Sequence, residues 1–475
     1  MATDPKRWQA LALVCVAFFM TILDVSIVNV ALPSIARDLS FTDTGLQWVV
    51  TAYAITFGGF LLLGGRACDL LGRRRMFMAG LVLFSVASLL CGLATSPEML
   101  VGSRALQGIG AAIISPATLA IITTTFDEGA ERNKALGIWG AMGGSGAAAG
   151  VLFGGLLTRY AGWEWVFYVN VPVGVLVLAL TRSIVRESRA PGVGRNFDAP
   201  GAVSVTGGLA LLVYAISKAP DSGWGSARTI LLLLASAALL LFFLVWESRT
   251  PAPLMPLRIF SLRTVAGANA VSLLLGAVVF SNFFVLTLYV QNVLGYSALR
   301  TGVTFLATAG TVVLVAGLAQ ALTTRIGPRP VMALGLALLL GGMVWYTQIP
   351  VAGSFWPDLL PGYLMVGFGL ALSFIPVSIA ALAGVAPQEA GVASGLLNTS
   401  QQIGGALGVA IASSIFISRA QDLLAKGGAE AAAFTSGYQR AFWVLAVFAA
   451  VGVALTLLFV RPQAGELDPN APVVA

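Results

Sequence analysis

A single carboxylate stands inside the first long apolar segment of this chain. Asp24 lies in the stretch MTILDVSIVNVALP, and apolar sequence surrounds it from Trp8 to Leu32. As a helix rising about 1.5 Å per residue, this segment is long enough to cross a lipid bilayer. A carboxylate at that depth costs about 2.5–3.5 kcal/mol to insert, so it indicates a functional site. The chemistry open to such an acid is the uptake and release of a proton.

One basic residue occupies the interior of another apolar segment. Arg104 lies in the stretch SRALQGIGAAIISPATLAII. Counting along the helices places Asp24 about 22 Å and Arg104 about 21 Å from the inner face of the membrane. Because isolated charges are costly there, we expect the two to interact across one polar cavity. Asn29, Tyr53 and Gln107 are its expected polar neighbours; the alternatives are a static ion pair and ordinary hydrogen bonds between helices.

The residue inventory argues against other kinds of chemistry. The chain has no histidine, and its three cysteines show no metal-ligand spacing. An integral-membrane enzyme would need clustered nucleophiles or metal ligands, and a receptor would carry a sizeable soluble domain. A nucleotide-driven pump is disfavoured because the sequence lacks a G-x-x-x-x-G-K-S/T loop. We therefore expect no enzymatic activity, no metal and no bound cofactor, with a proton gradient as the energy source.

The composition is typical of a polytopic, all-α membrane protein. Of 475 residues, 58% are hydrophobic and 10% are charged, against about 25% charged in an ordinary soluble domain. The mean hydropathy is +0.90. The 54 glycines would let helices approach closely in lipid. The net charge of +7 indicates basic cytoplasmic loops rather than nucleic-acid binding, because basic patches with interleaved aromatic residues are missing from the sequence.

Hydropathy, together with breaks at Gly, Pro and charged residues, predicts 14 membrane-spanning helices. An even number places both termini on one side. That side is predicted to be cytoplasmic, because 18 of the 27 Lys and Arg residues fall on it and 8 fall on the other. The predicted spans are residues 9–32, 46–67, 76–95, 98–123, 134–158, 163–184, 200–218, 229–247, 264–290, 301–323, 330–350, 357–383, 391–417 and 440–460.

Two basic, Pro-containing loops at residues 185–199 and 248–263 flank a pair of spans and divide the chain. Setting that pair aside leaves six spans on each side, which suggests a duplication. At an offset of 255 residues, three positions recur in the second half (Gly72, Arg74 and Gly80 against Gly327, Arg329 and Gly335). Two such bundles would form a secondary transporter with its site at their interface. The predicted domains are an N-terminal bundle (1–184), a linker with two extra helices (185–263), a C-terminal bundle (264–461) and a cytoplasmic tail (462–475).

The loop after the second span reads GRACDLLGRRRMF. Gly65 and Gly72 would permit a tight turn between two helix ends. Asp69 would accept hydrogen bonds from helix N-terminal amides or pair with Arg73 or Arg74. Such contacts would form a latch that breaks when the two bundles rock. The alternative is a basic cytoplasmic loop whose charges are solvated.

The fifth predicted span, LGIWGAMGGSGAAAGVLFGGLL, is rich in glycine. Gly146, Gly150 and Gly154 make consecutive G-x-x-x-G steps on one helix face, so a partner backbone could approach closely. The functional interpretation is a sliding hinge between the bundles. Generic tight packing is the alternative.

Taken together, these motifs resemble the 14-helix branch of the major facilitator superfamily, the drug:proton antiporters of EmrB/QacA type. LDVSIVNVALP resembles the helix 1 signature of that branch, GRACDLLGRRR the loop 2–3 signature, SRALQGIGAA the helix 4 motif and GAAAGVLFGG the antiporter motif of helix 5. WEWVFYVNVPVG, LYVQNVLGYSALRTG and SGLLNTSQQIGGALG are also similar to this branch. The segments run from residue 23 to 408, which is most of the chain.

The resemblance implies two six-helix bundles with two extra central helices. It also implies roles for the matching residues: Asp24 and Arg104 in proton coupling, a latch (Asp69, Arg73 and Arg74) and antiporter-motif glycines (Gly146, Gly150, Gly154 and Gly155). We accordingly expect a monomer in the plasma membrane that exports lipophilic drugs or antibiotics in exchange for protons by alternating access. The alternative is a dedicated exporter of an endogenous metabolite, such as an antibiotic, an amino acid or a siderophore.

Four positions depart from the pattern of that branch. Val151 stands where the antiporter motif has Pro, which puts the helix 5 kink and the direction of transport in doubt. Leu70 replaces a basic residue in the loop motif, and Glu164 replaces Arg in WEWVF. The corresponding loop of the second half has Thr324 in place of the acid, so any latch there would be weaker.

Overall fold

A computed structural model describes residues 5–126, 130–189, 198–250, 253–254, 257–383, 385 and 390–460. All regular structure in these ranges is helical. The predicted cytoplasmic tail at 462–475 lies outside the described residues. The predicted all-α architecture is confirmed.

The α-helices of the described ranges are α1 (Arg7–Asp38), α2 (Asp43–Leu46), α3 (Trp48–Leu71), α4 (Arg73–Gly92), α5 (Pro97–Thr125), α6 (Ala130–Tyr160), α7 (Trp165–Tyr168), α8 (Asn170–Ile184), α9 (Ala199–Ser222), α10 (Ala227–Arg249), α11 (Arg263–Leu288), α12 (Ala298–Ile326), α13 (Pro328–Tyr346), α14 (Leu360–Leu382), α15 (Ala390–Ala425) and α16 (Glu430–Phe459). A 3₁₀ turn covers Leu257–Ser261, and π-helical turns cover Tyr289–Val293 and Phe355–Leu359.

Twelve segments of the described chain are long and apolar enough to cross a membrane. The long helices α3 and α6 lie at two further predicted spans, so the structure is compatible with 14 membrane helices. Two further predicted spans also correspond to helical segments. The span at 200–218 is α9, and the span at 357–383 is the continuous segment Phe355–Leu382.

Helix ends follow local sequence. Ser96 begins α5 by accepting a hydrogen bond from the Met99 amide at 3.2 Å, and Pro97 occupies the first helical position. Gly72 separates α3 from α4 with φ +111°, and Gly327 separates α12 from α13 with φ +82°. Only glycine adopts such backbone angles without strain, which explains these two sharp turns.

The long helices pack as two bundles and a hairpin. Helices α1, α3, α4, α5, α6 and α8 pack together, and α11 to α16 form the second group. Helices α9 and α10 form the hairpin, in which α9 contacts both α3 and α15. The two bundles meet where α6 contacts α12 and where α3 contacts α15.

Contacts between helix ends define the two faces of the molecule. Lys6 Nζ donates to Ser183 O at 3.0 Å, so α1 begins where α8 ends. We call this the N-terminal face. Trp163 Nε1 donates to Asp38 Oδ2 at 2.9 Å at the other end of α1, which we call the opposite face.

Candidate functional site

Asp24 on α1 and Arg104 on α5 form an ion pair in the interior of the N-terminal bundle. Arg104 Nη1 donates to Asp24 Oδ2 at 2.6 Å, and the two side chains are 0% and 1% exposed. Arg104 Nε donates to Val49 O at 2.9 Å, and the guanidinium carbon lies 4.3 Å from the centroid of the Tyr53 ring. This direct contact fits both the proton-coupled pair and the static ion pair, so the coupling role stays a prediction.

Neutral side chains complete the coordination of the carboxylate. Asp24 Oδ1 accepts from Gln107 Nε2 at 2.7 Å and from Asn170 Nδ2 at 2.8 Å. Gln107 Nε2 also donates to Ser88 Oγ at 2.7 Å. The carboxylate thus faces three hydrogen-bond donors and carries its negative charge fully compensated.

Close helix packing brings these side chains together. A Cβ on Gly108 of α5 would lie 2.5 Å from Tyr53 O, and one on Gly110 would lie 2.7 Å from the Phe84 amide. Because both glycines lack a side chain, α5 approaches α3 and α4 closely enough for Arg104 and Gln107 to reach their partners. Asn170, the first residue of α8, completes the site from a fifth helix, after α1, α3, α4 and α5.

The structure shows this site enclosed rather than facing an open cavity. Asp24, Arg104, Tyr53 and Gln107 are almost completely buried, because amide groups and the Tyr53 ring fill the space that we expected water to occupy. Asn29 is also buried, but it donates to Val25 O at 2.9 Å on its own helix. Tyr53 and Gln107 therefore belong to the ion-pair network in this conformation.

A cavity of about 680 Å³ lies at the opposite face, between the two bundles. Asp24 and Arg104 are not among its lining residues, which come from both bundles and include Arg37, Arg159, Gln291, Asn292, Tyr296 and Tyr438. Below the cavity, Gln291 Nε2 on the second bundle donates to Val30 O on α1 at 2.9 Å. The bundles thus touch between this cavity and the ion pair.

At the N-terminal face, the predicted latch region contains an acid that the sequence analysis did not single out. Glu187, just after α8, accepts from the Arg74 backbone amide at 3.1 Å and lies 3.7 Å from Arg75 Nε. The Arg73 amide donates to Ser188 O at 3.0 Å. The side chain of Asp69 lies outside the described residues, so its predicted pairing stays a prediction.

The two glycines of this loop differ in role. Gly72 occupies the turn, and a Cβ there would lie 2.7 Å from Glu187 Oε1. Gly65 lies within α3 rather than at a turn, and a Cβ there would meet Pro116 Cβ at an ordinary 3.6 Å. The expected turn at Gly65 is therefore replaced by continuous helix, because α3 extends to Leu71.

The glycines of α6 pack mainly within one bundle. A Cβ on Gly150 or Gly154 would lie 2.7 Å from Leu23 O or 2.6 Å from Ile27 O, both on α1, and Gly146 also faces α1. Gly155 instead faces α12, where its Cβ would lie 2.9 Å from Ala298 O. Contact between the bundles, as the hinge interpretation requires, is thus made by Gly155 and not by the other three.

Three functional candidates were missed by sequence reasoning: Asn170, Ser88 and Glu187. Asn170 stands in WEWVFYVNVPVG, where a polar amide two residues before Pro172 in an apolar segment was an available signal. Ser88 lacks any such signal, because a single Ser in a membrane helix commonly bonds its own backbone. Glu187 lies between two arginines in the loop segment VRESR, which the sequence analysis treated only as basic.

Known proteins resemble this chain over most of its length. It is 41% identical to the puromycin resistance protein pur8 of Streptomyces alboniger over 95% of this chain and 90% of that protein. It is also 41% identical to the cephamycin export protein CmcT of Amycolatopsis lactamdurans, over 85% and 83% of the two chains. The tetracenomycin C resistance and export protein of Streptomyces glaucescens is 33% identical over 90% of this chain and 79% of that protein.

Solved structures share the fold at low sequence identity. A bacterial homologue of the human lysosomal transporter Spinster, in an inward-facing and unoccupied conformation, superposes with a TM-score of 0.67 at 18% identity, covering 97% of this chain and 98% of that one. An auto-inhibited peptide transporter of the POT family gives 0.67 at 16% identity, covering 98% and 99%. The family profile of the Major Facilitator Superfamily matches residues 14–409, and this multi-pass membrane chain belongs to that family of transporters.

Proposed function

We propose that this protein exports lipophilic antibiotics from the cell in exchange for protons, with Asp24 as the proton carrier. The observation that carries the proposal is the enclosed Asp24–Arg104 pair. Both side chains of this ion pair are almost completely buried. Removing one member of such a pair leaves an uncompensated charge, so protonation of Asp24 would change the balance of forces across the five helices that contribute to the network.

Protonation of Asp24 would weaken this ion pair and so affect the contact between the bundles. When Asp24 is ionised, Arg104 is held by the carboxylate, by Val49 O and by Gln107 Oε1. A proton on Asp24 would weaken the hold of the carboxylate on Arg104 and let α1 and α5 shift relative to one another. Because α1 also contacts the second bundle through Val30 and Gln291, such a shift would reach the bundle interface.

The relatives support the substrate class. The names of two of them refer to resistance to puromycin and to resistance to and export of tetracenomycin C, so puromycin is the first probe for this chain. The apolar character of the helices agrees with a lipophilic substrate. A dedicated exporter of one endogenous antibiotic is the second candidate, favoured by the 41% identity to a cephamycin export protein.

We place the protein in the plasma membrane as a monomer, with both termini in the cytoplasm. The excess of Lys and Arg on the N-terminal side of the predicted spans supports this orientation. Export then corresponds to release at the opposite face, where the 680 Å³ cavity opens between the bundles.

The test is substrate accumulation in a bacterial host that lacks its own efflux pumps. We expect the protein to lower puromycin accumulation, an uncoupler to restore it, and Asp24→Asn to abolish efflux while membrane insertion stays normal. Asp221→Asn is the matched control, because this partly exposed acid lies at the end of α9, away from Asp24, where it pairs with Lys218 at 3.5 Å. Full efflux by Asp24→Asn would remove this residue from proton coupling. Resistance to one antibiotic alone across a panel would favour the dedicated exporter.

A further inference from the structure

Asn170 is held differently from the other amide at the site. Its Nδ2 donates to Asp24 Oδ1 at 2.8 Å, and the side chain is 1% exposed. Its carbonyl oxygen Oδ1 is buried and has no hydrogen-bond partner among the described residues. A buried, unsatisfied acceptor of this kind is costly and calls for an explanation.

Gln107 provides the contrast. Its Nε2 donates to the same Asp24 Oδ1 at 2.7 Å, but its Oε1 accepts from Arg104 Nη1 at 2.6 Å and from Cys91 Sγ at 3.7 Å. Reversing the Gln107 amide would place its NH₂ group against the guanidinium and break these bonds. Gln107 is therefore a fixed donor. Rotation of the Asn170 amide, by contrast, would break no bond to its oxygen, and apart from the bond to Asp24 it would break one long hydrogen bond, from Nδ2 to Ser88 Oγ at 3.5 Å.

The protonation state of Asp24 determines whether the donor Nδ2 or the acceptor Oδ1 of Asn170 can form a hydrogen bond with the carboxyl group. An ionised carboxylate only accepts hydrogen bonds, whereas a protonated one also carries an O–H that needs an acceptor. The groups that now face Asp24 from Arg104, Gln107 and Asn170 are all donors. The other titratable groups around Asp24 in the described structure are Tyr53 on α3 and Cys91 on α4.

We propose that Asn170 is a reversible positioning residue for Asp24: its amide donates to the ionised carboxylate and turns to accept from the protonated acid. This inference rests on the proposed function of Asp24 as proton carrier. On protonation, a hydronium ion gives its proton to Asp24 Oδ1, leaving water, and the new O–H donates to Asn170 Oδ1. The displaced Nδ2 turns toward the position that Oδ1 occupies now. Release of the proton to water on the other side reverses these steps.

Rotation of the Asn170 amide stabilises both the ionised and the protonated form of Asp24. It therefore lowers the free-energy barrier to proton binding and release. A fixed donor, by contrast, stabilises the ionised form alone. Removing a hydrogen bond to a charged group shifts the protonation midpoint by about one pH unit or more. Removing a group that bonds both forms should leave the midpoint nearly unchanged and should slow the exchange.

The experiment compares Asn170→Leu with Gln107→Leu, two near-isosteric changes that remove all hydrogen bonding. The first measurement is a pH titration of the infrared band of the protonated Asp24 carboxyl in the purified protein, identified by its loss in Asp24→Asn. The second is proton-driven puromycin transport into inside-out vesicles. Asn170→Ser, which keeps a group able both to donate and to accept, is the conservative variant, and a monodisperse elution profile confirms folding of each protein.

We expect Gln107→Leu to move the infrared midpoint to higher pH by about one unit. Asn170→Leu should leave the midpoint in place, move the carboxyl band to higher wavenumber because the O–H loses its acceptor, and lower turnover about tenfold or more. Asn170→Ser should recover part of that turnover. If Asn170→Leu shifts the midpoint as Gln107→Leu does, or leaves band and turnover unchanged, the reversal is refuted. A carboxyl band that titrates normally in a protein that carries no puromycin would count against the proposed function with puromycin and not against the reversal.

Discussion

The candidate proton-coupling residues of this protein meet in one buried network of charges and amides. Asp24 and Arg104 neutralise each other, while Gln107 and Asn170 satisfy the second carboxylate oxygen. Arg104 is suited to this place because its planar guanidinium reaches Val49 O, Asp24 and Gln107 at once and stacks on the Tyr53 ring. A lysine carries the same charge but lacks that geometry.

Substitutions of Arg104 should therefore separate charge from geometry. Arg104→Ala leaves Asp24 buried without its cation, which costs about 3–5 kcal/mol and should abolish transport. Arg104→Lys keeps the charge, so we expect a folded protein with reduced puromycin efflux. Melting temperature and vesicle transport measure the two effects. Adding Asp24→Asn to Arg104→Ala should restore stability but not transport, and equal activity of the Ala and Lys variants would exclude a role for the charge.

At the residue scale, the sequence predicts that Asp24 and Arg104 interact and names two of their neighbours, Tyr53 and Gln107, but not the others. The depth argument works for Asp24 and Arg104 because charges inside a membrane helix are costly and must find each other. It does not identify Asn170 or Ser88, because a neutral polar residue is tolerated on many helix faces. Hydropathy also cannot show whether Asp24 meets water or protein, since that depends on which side chains fill the bundle.

At the scale of helices, glycine residues determine how closely two helices approach each other. The α6 glycines allow α6 to lie directly on the α1 backbone, next to the segment that carries Asp24. Sequence reasoning finds their spacing but cannot choose the partner helix, because a G-x-x-x-G face fits any close neighbour. Val151 takes the place of the antiporter-motif Pro, and α6 continues through it from Ala130 to Tyr160.

A methyl group on this face should destabilise the N-terminal bundle. In Gly154→Ala the new Cβ would lie 2.6 Å from Ile27 O, so α6 must move away from α1. We expect a loss of about 1–3 kcal/mol, seen as a lower melting temperature in detergent. Gly310→Ala on α12 is the control, because its Cβ would meet no atom within 4 Å. The packing argument fails if both variants melt alike.

At the scale of the whole molecule, two of the described contacts between the bundles lie toward the opposite face, and α3 also packs against α15 near Gly58. Gly155 and Gly302 bring α6 and α12 together there, and Gln291 reaches Val30. At the N-terminal face, Glu187 fixes the start of α4 to the segment after α8. The sequence predicts both bundles, but the contact between them depends on the conformation, which periodicity and hydropathy do not specify.

A larger side chain at the bundle contact should hold the opposite face open. In Gly155→Leu the side chain would meet Ala298 and Leu299 of α12, so the bundles cannot close there. Spin labels on cysteines at Tyr160 and Val351, which are exposed near this face, should show a larger population of long distances. Gly317→Leu, which points into open space on α12, should not change the distances. An unchanged distribution in Gly155→Leu would show that this contact does not control closure.

The burial of one acid has an energetic consequence for the transport cycle. Among the described residues of the two bundles, Asp24 is the one buried carboxyl group, so under the mechanism proposed above one proton would enter for each molecule of cargo. Under that stoichiometry, exchange for an uncharged molecule would be electrogenic and would gain about 2.3 kcal/mol per 100 mV, enough for an accumulation ratio of about 50. A singly charged cation would instead travel electroneutrally, and the difference in pH alone would set its limiting concentration ratio.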